Sequence, residues 1–116
     1  MRILVVGLAF ILLAGCIARP MNEVRQDGAY KVLHSKKTDK ALAECVQYEW
    51  KNQSLFGVTP QATIQPVRDG GYTVFTAASE YFVDIKQGAT GTDARFYVIA
   101  KNWIAKARLE KLQSCL

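Results

Sequence analysis

The chain has 116 residues, half of them hydrophobic, with 15 Lys and Arg against 10 Asp and Glu. That length holds one small domain and no more. The mixture of apolar and charged residues excludes a disordered, collagenous or fibrous chain, and a net charge of +5 falls short of a nucleic-acid footprint.

The apolar residues are unevenly spread. After a positive start at Met1-Arg2, residues 3–14 contain only Ile, Leu, Val, Gly, Ala and Phe. The run is too short to cross a hydrocarbon core as a helix, which takes about 20 residues. A positive start, an apolar run and small residues before a cut site make a secretory signal peptide over residues 1–15. Leu13-Ala14-Gly15-Cys16 resembles the lipobox of bacterial lipoproteins. The resemblance implies that the Cys16 thiol receives a diacylglycerol, that the chain is cut before it, and that the new amine is acylated. One acyl chain anchors a protein only marginally, at about 0.8 kcal/mol per buried CH₂, so several chains are needed for stable attachment. Ile17 stands where an Asp would favour inner-membrane retention in enterobacterial lipoproteins, which implies sorting to the outer membrane, facing the periplasm. Loss of residues 1–15 removes only Arg2 and leaves a net charge of +4. That surplus favours anionic envelope surfaces, and export leaves nucleic acid no part as a partner.

With Cys16 assigned to lipid, Cys45 and Cys115 remain. In an exported protein such a pair reads as a disulfide. Metal binding is the alternative, but two thiols and one distant histidine make a poor site, so no metal and no cofactor are expected.

Along the mature chain, residues 16–37 show no sustained apolar period and read as a lipidated cysteine with a flexible tether, although residues 29–33 can add a short strand. Thr38 then has the place of a helix N-cap with Asp39 in the first turn. Ala41, Leu42, Cys45 and Val46 follow helical spacing, giving a first helix over about 39–52. Strand signals follow. Residues 62–67 are β-like, with Pro66 demoting the segment to an edge or a strand end. Asp69-Gly70-Gly71 marks a turn before residues 72–77. In residues 81–86, Tyr81, Val83 and Ile85 alternate with Phe82, Asp84 and Lys86. A loop at 88–92 leads to a strand over 95–99, with Phe96 and Val98 opposite Arg95, Tyr97 and Ile99. From Asn102 the helical period returns and predicts a last helix over about 102–114, with Ile104, Ala107 or Arg108, Lys111 or Leu112, and Cys115 at helical spacing and Lys101, Lys106, Arg108 and Lys111 filling the other face.

The order predicts an α+β domain at 38–116: a three- to four-stranded antiparallel meander flanked by an N-terminal and a C-terminal helix, stapled by a Cys45–Cys115 disulfide. This layout is similar to that of small lipoproteins of Gram-negative bacteria. The resembling residues are Ala41-Leu42-Ala43-Glu44-Cys45 with Trp50, then Val83-Asp84-Ile85, Gly88 to Gly91, and a cysteine one residue from the end. The likeness implies an envelope lipoprotein and carries no activity. In size and topology alone the chain also resembles accessory lipoproteins of outer-membrane barrel assembly and secretion pilotins.

Residues that carry chemistry are sparse. His34 is the only histidine and falls in the expected tether, so no nucleophile–histidine arrangement can be built on a rigid element. Glu80, Asp84 and Asp93 can in principle pair as acid and base, but they read as solvated surface charge, with a hydrogen-bonded structural role second for Asp84. Gly88 to Thr92 is followed by a strand, where a phosphate loop requires a helix. Phe75, Phe82 and Tyr97 share the face opposite the two helices. They form a candidate partner-binding patch that needs a partner, a lipid, or cover from the tether or turns. The expected function is that of a non-enzymatic envelope lipoprotein, anchored in a membrane, that presents its domain to an envelope protein. The rival reading is an inhibitor or binding module for an envelope hydrolase or an anionic polymer.

Overall fold

The computed structural model describes residues 19–54, 61–77 and 80–116. The expected signal peptide and Cys16 lie outside the described residues. The elements in chain order are α1 (Met21–Gln26), β1 (Lys31–Ser35), α2 (Asp39–Lys51), β2 (Ala62–Pro66), β3 (Tyr72–Thr76), β4 (Tyr81–Gly88), β5 (Gly91–Val98) and α3 (Trp103–Ser114). The domain is α+β, and its five strands form one antiparallel sheet in the order β1-β5-β4-β3-β2.

Local sequence sets the boundaries. The Thr38 hydroxyl accepts from the Ala41 amide at 3.2 Å, and the Asn102 side chain accepts from the Ala105 amide at 3.0 Å. Each satisfies a donor that its helix leaves unpaired. Pro66 is the last residue of an edge strand, where its missing N–H costs no ladder bond. The β2–β3 turn requires glycine: Gly71 has φ +86°, and a Cβ there would stand 2.2 Å from the Ile85 carbonyl oxygen.

One sheet face packs against α2, which lies over β2, β3 and β4, with α3 beside it. Leu42, Val46, Trp50, Val74, Val83, Ile85, Phe96 and Leu112 are fully or almost fully buried there. The Trp50 indole N–H donates to the Arg108 carbonyl oxygen at 2.9 Å, which fixes α3 against α2. Cys45 on α2 is bonded to Cys115, the residue after α3, with Cα atoms 5.8 Å apart and a sequence separation of 70.

Three features differ from the sequence expectation or settle it. Residues 21–35, expected within the tether with a short strand allowed at 29–33, form α1 and β1, the strand lying at Lys31–Ser35. The strand β1 pairs along β5 from Lys31↔Phe96 to Ser35↔Thr92, so the sheet has five strands and the N-terminal one sits beside the last. Both elements are short and bury few apolar side chains, Val24 in α1 and partly Leu33 in β1, so no periodic stripe develops. Arg108, left in sequence between the two faces of α3, is on the buried one and 5% exposed. Its guanidinium donates to the Gln53 carbonyl oxygen and side-chain oxygen at 3.2 and 2.8 Å, and burial holds its pKa below the ordinary value for arginine.

Candidate functional site

On the second sheet face the structure takes one of the outcomes left open in sequence. Phe75, Phe82 and Tyr97 do stand in one cross-strand row, through the registers Phe75↔Phe82 and Phe82↔Tyr97. The row is not an open patch. Helix α1 lies over it: Val24 packs on Phe82 and Tyr97, with Met21, Ala29 and Phe75 completing the cluster. Phe82 is 0% and Tyr97 6% exposed, and their rings stack at 4.8 Å. The expected tether thus supplies the cover, and the patch is corrected to a second small core.

A single side chain locks the cover in place. Arg25 of α1 donates from Nε to Asp84 Oδ2 at 2.7 Å and from Nη2 to Asp84 Oδ1 at 2.8 Å. The Thr73 hydroxyl donates to the same Oδ1 at 2.7 Å, and Arg25 Nη1 donates to the Asn22 side-chain oxygen at 2.8 Å. The guanidinium also sits 5.1 Å above the Phe82 ring. This forked pairing is the geometry in which arginine binds carboxylate best. The hydrogen bond that the guanidinium donates to Asp84 raises the Arg25 pKa against the opposing effect of burial. Both Asp84 oxygens therefore accept hydrogen bonds, which corrects its first reading as solvated surface charge and agrees with the second, a hydrogen-bonded structural role. Sequence reasoning missed Arg25. The available signals were Pro20 at a helix start, Glu23 in the first turn, Arg25 in the last turn and Gly28 just beyond.

Between α1 and the β2–β3 hairpin lies an open cleft of about 630 Å³. The Arg25–Asp84 pair lines it, together with the apolar Met21, Pro66 and Tyr72 and the charged Arg68. Its charges are of both signs, and Arg25 and Asp84 are bonded to one another. Thr73 also lines it, with its hydroxyl donated to Asp84.

The other expected residues are dispersed. His34 is on β1, not in a tether. Its Nδ1 is 3.0 Å from Asp93 Oδ1 and its Nε2 3.2 Å from the Thr90 carbonyl oxygen. The hydrogen bond to Asp93 raises the His34 pKa above its ordinary 6.5. A raised folded pKa stabilises the fold at pH below the ordinary value, and the contribution is lost as pH rises through the folded value. An NMR titration of the His34 ring is expected to give a midpoint above 6.5, and Asp93→Asn should bring it down; a midpoint that ignores Asp93→Asn would refute the pairing. Glu80 is exposed before β4, so Glu80, Asp84 and Asp93 have separate surroundings. Gly88 to Thr92 is the tight β4–β5 hairpin, with Gly88 opposite Gly91. Among the described residues no three His, Cys, Asp or Glu side chains group to hold a metal ion, and no helix is long and apolar enough to cross a membrane.

Comparison with known protein families, curated proteins and solved structures finds no match.

Proposed function

We propose that the chain is a non-enzymatic lipoprotein of the cell envelope, held in the outer membrane by acyl chains on Cys16, whose domain binds a protein partner in the periplasm. The Cys45–Cys115 bond carries this reading. Structural disulfides persist in oxidising compartments and are rare in the cytosol, so the bond agrees with a chain led out by residues 1–15. It also occupies both other cysteines and leaves Cys16 to the lipobox. With the Phe75–Phe82–Tyr97 row covered, the partner reading moves to the cleft beside α1 and to the outer edge of β1, where Val32 is 53% exposed. An unpaired strand edge offers a row of backbone donors and acceptors to an incoming strand. The rival reading, an inhibitor or polyanion-binding module, draws on the +4 charge and on Lys101, Lys106 and Lys111 around the last helix.

Fractionation and crosslinking test the proposal. Cys16→Ala should move the protein from membrane to soluble fraction. In-cell crosslinking from a photoreactive residue at Val32 should recover the same protein in repeated experiments. Membrane retention of Cys16→Ala refutes the anchor, and crosslinks to lipid alone refute the partner. Retention on lipopolysaccharide that disappears with salt would favour the rival.

A further inference from the structure

We infer that the domain stands directly on the bilayer, with the surface made by Arg19, Tyr30, Ile99 and Lys101 seated among the lipid head groups; this rests on acylation of Cys16 as proposed above. The order of α1 and β1 shortens the connection. Arg19 is the third residue after Cys16, and it is already fixed to the domain. Its Nη2 pairs with Asp27 at 2.7 Å and its Nε with Glu23 at 3.7 Å, and Pro20 opens α1. At no more than about 3.6 Å per residue, three residues reach about 11 Å. The head-group layer on one side of a bilayer is itself about 5–8 Å deep. A domain tied this closely cannot stand clear of the membrane as a 20-residue tether would allow.

The side chains nearest the anchor suit that position. Arg19, Tyr30, Ile99 and Lys101 border one depression of about 230 Å³. Tyr30 is 41% and Ile99 37% exposed, and the Lys101 ammonium lies 5.8 Å from the centre of the Tyr30 ring. Trp103, in the first turn of α3 just beyond, is 54% exposed. Tyrosine and tryptophan combine an apolar body with a wet tip and concentrate at membrane interfaces. The Lys101 ammonium is attracted to anionic head groups, while Arg19 is shared with Asp27 in the same lining. The occupant is lipid because the short connection from Cys16 brings the bilayer to this surface. The β4–β5 turn lies at the opposite end of β5, seven residue steps or about 24 Å away, and should point into solvent.

Tryptophan quenching in vesicles reads this orientation, because Trp50 is fully buried. The full mature lipidated chain is reconstituted into phosphatidylethanolamine–phosphatidylglycerol vesicles with or without brominated acyl chains, and its intact mass reports acylation. The Trp103 emission, taken as the difference from Trp103→Phe, should fall about twofold or more with brominated lipid, as for an interfacial indole. A tryptophan placed by Thr90→Trp in the Trp103→Phe background should respond to aqueous acrylamide and not to brominated lipid. If acylated protein shows Trp103 quenched by acrylamide and untouched by lipid, or Thr90→Trp quenched by lipid, the seating is wrong while the anchor stands. If the mass carries no acyl chains, the anchor reading falls and this inference with it.

Discussion

Replacing Phe82 with alanine is expected to lower stability by about 3–5 kcal/mol, the range for a fully buried phenylalanine. The magnitude follows from what the ring touches: Tyr97 stacked at 4.8 Å, Val24 from α1, and the Arg25 guanidinium at 5.1 Å. Urea unfolding of the mature chain measures it. On an exposed patch the same truncation would change stability by no more than about 0.5 kcal/mol. The two readings of this face therefore differ by several kcal/mol at one position. A small effect would mean that α1 does not cover the sheet in solution. A large one would establish that the aromatic row is core beneath α1 in solution.

The parts of the fold legible in sequence are those with strong local signals. Thr38 starts α2, and the helical period that returns at Asn102 marks α3. The alternation of Tyr81, Val83 and Ile85 against Phe82 and Asp84 set the two faces of β4, and both faces appear as expected. The cover of the second face was harder to see. Six residues of α1 are too few for a hydrophobic period, and β1 is an edge strand with Lys31 and Val32 exposed. One signal did exist. Tyr81, Phe82 and Val83 are consecutive bulky residues, and all three are buried; such a run belongs to a strand covered on both sides. Arg108 stayed open between the two faces because an arginine in a helix is ordinarily solvated, and only the neighbourhood of Trp50 and Gln53 draws it inward. Asp84 was legible as a residue and not as a site, because its partner lies 59 positions away in a segment with no period of its own.

Removing the disulfide by Cys45→Ala with Cys115→Ala is expected to cost about 4 kcal/mol, the chain-entropy value for a loop of this length. Set against a total of about 5–15 kcal/mol for a domain of this size, the loss is a large share. Urea unfolding checks it in two ways: reductant should shift the wild-type chain toward the variant and leave the variant where it is. Loss of the bond should loosen the C-terminal end first. Without it, the end of the chain is held by Leu112 in the core, by Lys37 Nζ donating to the Cys115 carbonyl oxygen at 2.5 Å and by the Ser35 hydroxyl donating to the Leu116 carbonyl oxygen at 3.0 Å. Hydrogen exchange should therefore speed up in α3 before α2. The Trp50 indole bond to Arg108 makes this loosening consequential, since releasing α3 strips the buried indole of its acceptor. A domain that loses this share would be weakly folded wherever thiols stay reduced, so the expected cost links its stability to oxidising conditions. Equal stability of the reduced and oxidised chains would break that tie and remove the main support for export.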